Sequence, residues 1–314
     1  MSYKNSVKLI SNNFGLVYKQ LLFTLVFLAI SVLLGLAFAS PTISVLKNEG
    51  WFYKVQQIIE VTYTAPSNLN ATLREILSSF FEIIGANFGS IWASFIGLVL
   101  IASFLPDFLY GLGQYAMMVV LNAKLSSFVN LGFTSSLITN LKSASKYSLF
   151  RLLIDLGQSL VLILVFYLYL KLSHGVMLTI IFLILLVSII VMISSLKLVV
   201  LSKLAPRMIS TGVGLNKAIY LSTKNRTKQF WRSLSNAIIL VLTIIAVNIF
   251  FGLFTFFVGL IITIPASMVF VAIFMETNYF TTSGEKFYLT QNLIVEPTVS
   301  LTNNSKVLKE KEED

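Results

Sequence analysis

Cysteine is absent from the 314 residues, and histidine occurs once, at His174. The first absence excludes disulfides, thiolate metal sites and cysteine nucleophiles, and the second excludes histidine-based metal clusters. Charge is scarce as well: 11% of residues are charged, against roughly 25% in soluble globular chains. Such a chain lacks the polar surface needed to face water. No HExxH zinc pair, GxSxG elbow or GxxxxGK[ST] phosphate loop is found. No catalytic residue, metal ligand or cofactor is therefore assigned, and the chain is read as not being an enzyme.

Apolar residues make up 56% of the chain, with 26 Phe and 12 Tyr, and mean hydropathy is +0.86. A helix crosses a bilayer core with about 20 apolar residues. Candidate tracts are Leu21 to Phe38, Ile91 to about Leu121, Leu152 to Leu170, Val176 to Leu196, and Ala237 to Met275. The last is long enough for two spans and reads as a tight hairpin around Gly252 and Gly259, with Pro265 kinking its second arm. The 91–121 tract would reach about 45 Å at ~1.5 Å per residue, too long for one upright span. Pro106-Asp107 interrupts it, with Gly111 and Gly113 just beyond. Either one kinked span or a span followed by a re-entrant helix fits, because proline removes a helix donor and restricts the residue before it. The first tract, with Lys4, Lys8 and Lys19 before it and Ala37-Phe38-Ala39 at its end, also has the form of a secretory signal. Its length and the spans that follow favour a retained helix. The expected fold is an all-α integral membrane protein with six transmembrane helices in three hairpins. Residues 1–280 form the membrane domain, and 281–314 a short hairpin-like segment and disordered tail.

Lys and Arg near span ends stay on the cytoplasmic side. Segments 1–20, 122–151, 197–232 and the part after Met275 hold 19 basic residues; 41–90 and the Lys171 turn hold four. Six spans with both termini cytoplasmic, in the cell membrane, fits this asymmetry. A seventh span would move the first basic group outside. Lys142, Lys146, Arg151, Lys224, Arg226, Lys228 and Arg232 then become candidate contacts for anionic phospholipid, each attracted by about 1 kcal/mol. The formal charge of +10 lies on these short segments, so no soluble basic module for nucleic acid is read.

A similar stretch precedes each odd-numbered span: Leu9 to Leu21, Leu137 to Leu152, and Tyr220 to Leu234. Each has apolar residues at helical spacing among Ser, Thr, Asn and Lys, and an aromatic beside a basic residue at the span entrance. This suits a helix lying in the interface with its apolar face in lipid. Three copies of one unit, or the usual composition of any span entrance, would both give this pattern.

The third of these, Gly214-Leu215-Asn216-Lys217-Ala218 followed by a basic helix and a hairpin ending Gly259…Pro265…Tyr279-Phe280, resembles a broad group of bacterial six-span proteins. That group includes the membrane domain attached to some glycerophosphodiester phosphodiesterases. The resemblance covers about residues 88–290 and implies a helical membrane scaffold rather than an enzyme. The outer segment 41–90 departs from the compact pattern.

Within 41–90, Pro66-Ser67-Asn68 reads as a break between two short amphipathic helices, about Trp51 to Val61 and Ala71 to Ile84. They serve either as a connector resting on the bilayer or as a lid over the outer end. Around Thr282-Ser283-Gly284-Glu285, the aromatic-rich stretch from Asn278 to Val295 reads as a β-hairpin or extended strand.

Ionisable residues within spans are functional candidates by default. Asp107, Gln114, Asp155 and Gln158 form a candidate polar path. Asp155 lies four residues after Arg151, one helical turn on, which equally suits a local ion pair. Asp107 follows Pro106 and could cap a new helix or contact an ion at a discontinuous one. Gln114 and Asn248 suit bonding across helices. The leading expectation is a lipid-interacting scaffold or accessory subunit, with anionic phospholipids and another membrane protein as partners. The alternative is a transporter or channel using the polar path.

Overall fold

In the computed structural model, the described residues are 2–65, 68–172, 176–223, 227–290 and 293–295. The expected outer break at Pro66-Ser67, the His174 turn, the Lys224 to Arg226 segment and the tail from 296 onward lie outside them. The chain is almost wholly helical: α1 Ser2–Asn12, α2 Gly15–Asn48, α3 Trp51–Thr64, α4 Leu69–Val99, a π-helical turn Leu100–Phe104, α5 Leu105–Ser127, α6 Phe133–Thr139, α7 Leu141–Leu172, α8 Val176–Thr211, α9 Leu215–Thr223, α10 Thr227–Phe254 and α11 Leu260–Ser283. A two-stranded antiparallel hairpin follows, β1 Phe287–Thr290 with β2 Leu293–Val295. Six helical stretches are long and apolar enough to cross a membrane. Short helices α1, α6 and α9 precede the three long pairs, at the places where the sequence repeats its basic, aromatic-bearing stretch.

Two expectations about the second span are corrected. The second short outer helix does not end at Ile84; it runs without interruption into the span. Nor does a re-entrant helix follow a break at Pro106-Asp107: of the two readings of 91–121 the single span is found, helix continuing from Leu69 to Ser127 through the π turn. These 59 residues are far more than the about 20 that cross a bilayer core. The physical reason lies in the extra residue of the π turn. Leu105 N–H bonds the Leu100 carbonyl, five residues back. The ladder is thereby re-registered just before the proline, whose missing donor would otherwise break it.

The chain divides into two compact units. The first comprises residues 1–25, 108–154 and 191–314; the second comprises 26–107 and 155–190. In the first, α5 and α11 are the inner helices: α5 is buried along most of Gly111 to Leu125, and 56% of the apolar window of α11 is buried. The large side chains exposed along α2, α7, α8 and α10 suit lipid contact. Between α10 and α11 the chain turns through Phe256 and Phe257, both left-handed at φ 49° and 69°. Their rings are 89% and 69% exposed. Thr255 closes the turn by accepting the Gly259 N–H at 2.7 Å.

α1 differs from the expected helix with its apolar face in lipid. It packs against α10 and α11. Leu9 is buried in the core, Ser6 shares a 2.8 Å hydroxyl bond with Thr277, and Tyr3 shares one of 2.9 Å with Thr243. Its stripe is as much Ser as apolar, which suits polar bonding to a neighbouring helix better than burial in acyl chains.

The C-terminal hairpin is also shifted. α11 continues to Ser283, and Gly284, left-handed at φ 80°, ends it. The Thr282 to Glu285 stretch is therefore a helix terminus, not the hairpin turn. Phe287 is fully buried beside Phe280, ring centroids 5.7 Å apart, and β1 rests on α1.

In the second unit, α3 folds back on α4. Trp51 Nε1 donates to the Ile76 carbonyl at 3.1 Å, its ring lies 5.3 Å from that of Phe80, and Leu46, Ile84 and Ile91 form a small core. α2 meets α4 through Thr42 and Ser94, 2.7 Å apart.

Candidate functional site

The densest polar cluster lies inside the first unit and centres on Glu276, which is 0% exposed. α11 carries it on a run of buried residues from Phe274 to Thr281. Asn122 of α5 donates through Nδ2 to Glu276 Oε2 at 3.0 Å. The same nitrogen lies 3.0 Å from Ser210 Oγ on α8. Glu276 Oε1 has no hydrogen-bond partner. Two residues on, Asn278 donates to Ser202 Oγ of α8 at 2.8 Å, and Thr277 meets Ser6.

About two helical turns earlier on α5, Gln114 accepts the Tyr147 hydroxyl of α7 at 2.9 Å. Its amide nitrogen lies 3.4 Å from Met275 Sδ. Close backbone approach makes this possible. A Cβ at Gly111 would lie 2.9 Å from Ser148 Cα, and one at Gly113 would lie 2.9 Å from Phe23 Cδ1. Small residues let membrane helices approach this closely. Ser148 uses the gap to donate to the Phe108 carbonyl. The polar core thus joins α1, α5, α7, α8 and α11.

The four residues of the expected polar path are divided between the units. Gln114 belongs to the first; Asp107, Asp155 and Gln158 belong to the second. Asp107 stands in a continuous helix, so no helix end is there for it to cap and no discontinuous helix for it to serve. Asp155 is buried, 6% exposed. Asn248 bonds Ser267 Oγ at 3.1 Å and accepts from Thr263 Oγ1 at 2.7 Å, joining α10 to α11.

Of the expected lipid contacts, Lys142, Lys146 and Arg232 are exposed. Arg151 is not: it is 5% exposed, with its guanidinium carbon 3.8 Å from the centroid of the Tyr110 ring. That is a cation–π contact within the helix packing. Lys224 and Arg226 fall outside the described residues, as does the side chain of Lys228. Lys4, Lys8, Lys19 and Lys217, not among those expected contacts, are exposed in the same unit. Among the described residues, no group of three or more His, Asp or Glu is placed to hold a metal ion.

Glu276 and Asn122 escaped the sequence reading. The apolar tract ends at Met275, so Glu276 counted with the polar tail. The signal was the continuing helical spacing of Met275, Tyr279 and Phe280 beyond it.

Compared with protein-family models, curated proteins and solved structures, the chain finds no match. Fold and composition define its class: it is an all-α, multi-pass membrane protein with six spans. Within that class it is built as three helix pairs, each introduced by a short helix.

Proposed function

We propose that this protein is a non-enzymatic membrane scaffold or accessory subunit, whose basic end binds anionic phospholipid in the cytoplasmic leaflet of the cell membrane. One observation carries the reading. Seven cations, Lys4, Lys8, Lys19, Lys142, Lys146, Lys217 and Arg232, stand exposed on the first unit. The sequence segments that bear them, 1–20, 122–151 and 197–232, contain no acidic residue. Meanwhile most polar side chains of the core are spent on joining helices. Cations gathered near span ends attract anionic head groups, although Glu285 is also exposed on this unit. The test reconstitutes the full chain in nanodiscs of mixed phosphatidylcholine and phosphatidylglycerol. Wild type is expected to enrich the anionic lipid, and Lys142→Glu/Lys146→Glu/Arg232→Glu to lose the enrichment. Equal lipid composition in both would end this reading.

Glu276 favours a second reading. A fully buried carboxylate with one oxygen unbonded is costly in a membrane span and is characteristic of ion and proton pathways. Transport of a small cation through this bundle would require that Glu276→Gln abolish flux in proteoliposomes while the protein stays folded.

A further inference from the structure

Arg74 on α4 is half-buried, and part of its guanidinium is left incomplete. Its Nε and Nη2 are shielded from solvent and have no hydrogen-bond partner. The adjacent carboxylate does not serve it, because Glu75 points to Lys54, 3.9 Å away, and is largely exposed. Shielded guanidinium nitrogens without a hydrogen-bond partner are costly. Arg74 lines a cleft of about 380 Å³ in the second unit, together with Leu77, Ser78, Phe81, Tyr167 and Lys171. Two cations from different helices, α4 and α7, thus face one volume, which disfavours leaving it without an anion. Among the described residues, the rest of the lining is Ser78, two apolar side chains and a tyrosine ring.

We propose that this cleft is a discrete binding site for one anionic phospholipid, its phosphate between Arg74 and Lys171 and an acyl chain along Leu77, Phe81 and Tyr167. The volume falls in the range of small-ligand sites and exceeds what a bare phosphate would fill. Arginine's planar fork suits phosphate oxygens, with lysine as a second point charge. The apolar wall selects an amphiphile over a free ion, and the lipid-facing helices around it provide the supply. Tyr169 is a positioning residue here: its hydroxyl donates to Asn70 Oδ1 at 3.0 Å, tying α7 to α4 beside the cleft. This site shares no residue with the exposed cations of the first unit.

The experiment titrates the purified full chain in detergent with short-chain phosphatidylglycerol, short-chain phosphatidylcholine, a fatty acid and inorganic phosphate. Bound lipid is counted by native mass spectrometry. One phosphatidylglycerol is expected to bind per chain. Arg74→Gln should weaken it by about tenfold or more, the scale of a lost charged hydrogen bond. Lys171→Gln should weaken it less, and Leu77→Trp should block it with both cations intact. Lys142→Glu/Lys146→Glu/Arg232→Glu should leave it unchanged, which separates this site from the basic end. Equal binding of phosphatidylcholine, of the fatty acid or of phosphate alone would overturn the assignment. So would unchanged binding in Lys171→Gln and Leu77→Trp, which decide the matter even if Arg74→Gln does not fold.

Discussion

Asn122 and Glu276 meet across two helices at 3.0 Å, the first 8% exposed and the second not at all. Because the same amide nitrogen also reaches Ser210, one side chain links α5, α8 and α11. Removing it leaves both oxygens of a buried carboxylate unpaired. Asn122→Ala should therefore lower stability by about 1–3 kcal/mol or more, read as a reduced denaturation midpoint in detergent. Glu276→Gln keeps an acceptor for Asn122 and should cost less. A larger loss in Glu276→Gln than in Asn122→Ala would contradict this arrangement.

Close approach at the two glycines of α5 predicts an order of effects. At Gly111 an added methyl meets the backbone of Ser148, while at Gly113 it meets the Phe23 ring, which can turn aside. Gly111→Ala should destabilise by about 1–3 kcal/mol, the usual range for overpacking, and Gly113→Ala by less. The comparison needs only the two thermal midpoints side by side.

Phe287 anchors the C-terminal hairpin. It is fully buried against Phe280. Truncation to alanine should cost about 3–5 kcal/mol if the site cannot collapse. Proteolysis after such a change should release the segment beyond Ser283 while the helical bundle stays intact.

The absence of cysteine makes membrane topology directly measurable, since any introduced thiol is unique. Lys8→Cys and Lys217→Cys place it on exposed positions of α1 and α9, and Tyr63→Cys on α3, where the ring is 85% exposed. In intact cells an impermeant maleimide should label Tyr63→Cys alone. Labelling of Lys8→Cys without permeabilisation would invert the orientation.

Much of this architecture is legible in the sequence. Runs of apolar residues mark all six spans, and the basic stretches mark the short helices before each pair. What escaped legibility follows from how spans are recognised. Hydropathy finds where a helix enters lipid, not where it stops: α4 begins at Leu69, well before its apolar tract, and α11 extends past Met275 to Ser283. Glu276 falls in that extension. Pro106 signals a broken ladder, but the compensating π turn depends on a single extra residue with no composition of its own. α1 is amphipathic in either setting, and only its hydroxyl pairing with Thr243 and Thr277 distinguishes protein from lipid as its partner. Arg151 reads as an interfacial anchor until Tyr110, far away in sequence, is seen beneath it.

The central claim is that the exposed cations of the first unit hold anionic lipid by charge. Lipid composition around the reconstituted protein tests it most directly, compared between about 0.05 M and about 0.5 M salt, where screening shortens severalfold. Wild type should concentrate phosphatidylglycerol at low salt and lose most of that excess at high salt, while Lys142→Glu/Lys146→Glu/Arg232→Glu should show little excess at either. An enrichment that survives both high salt and charge reversal would contradict the account.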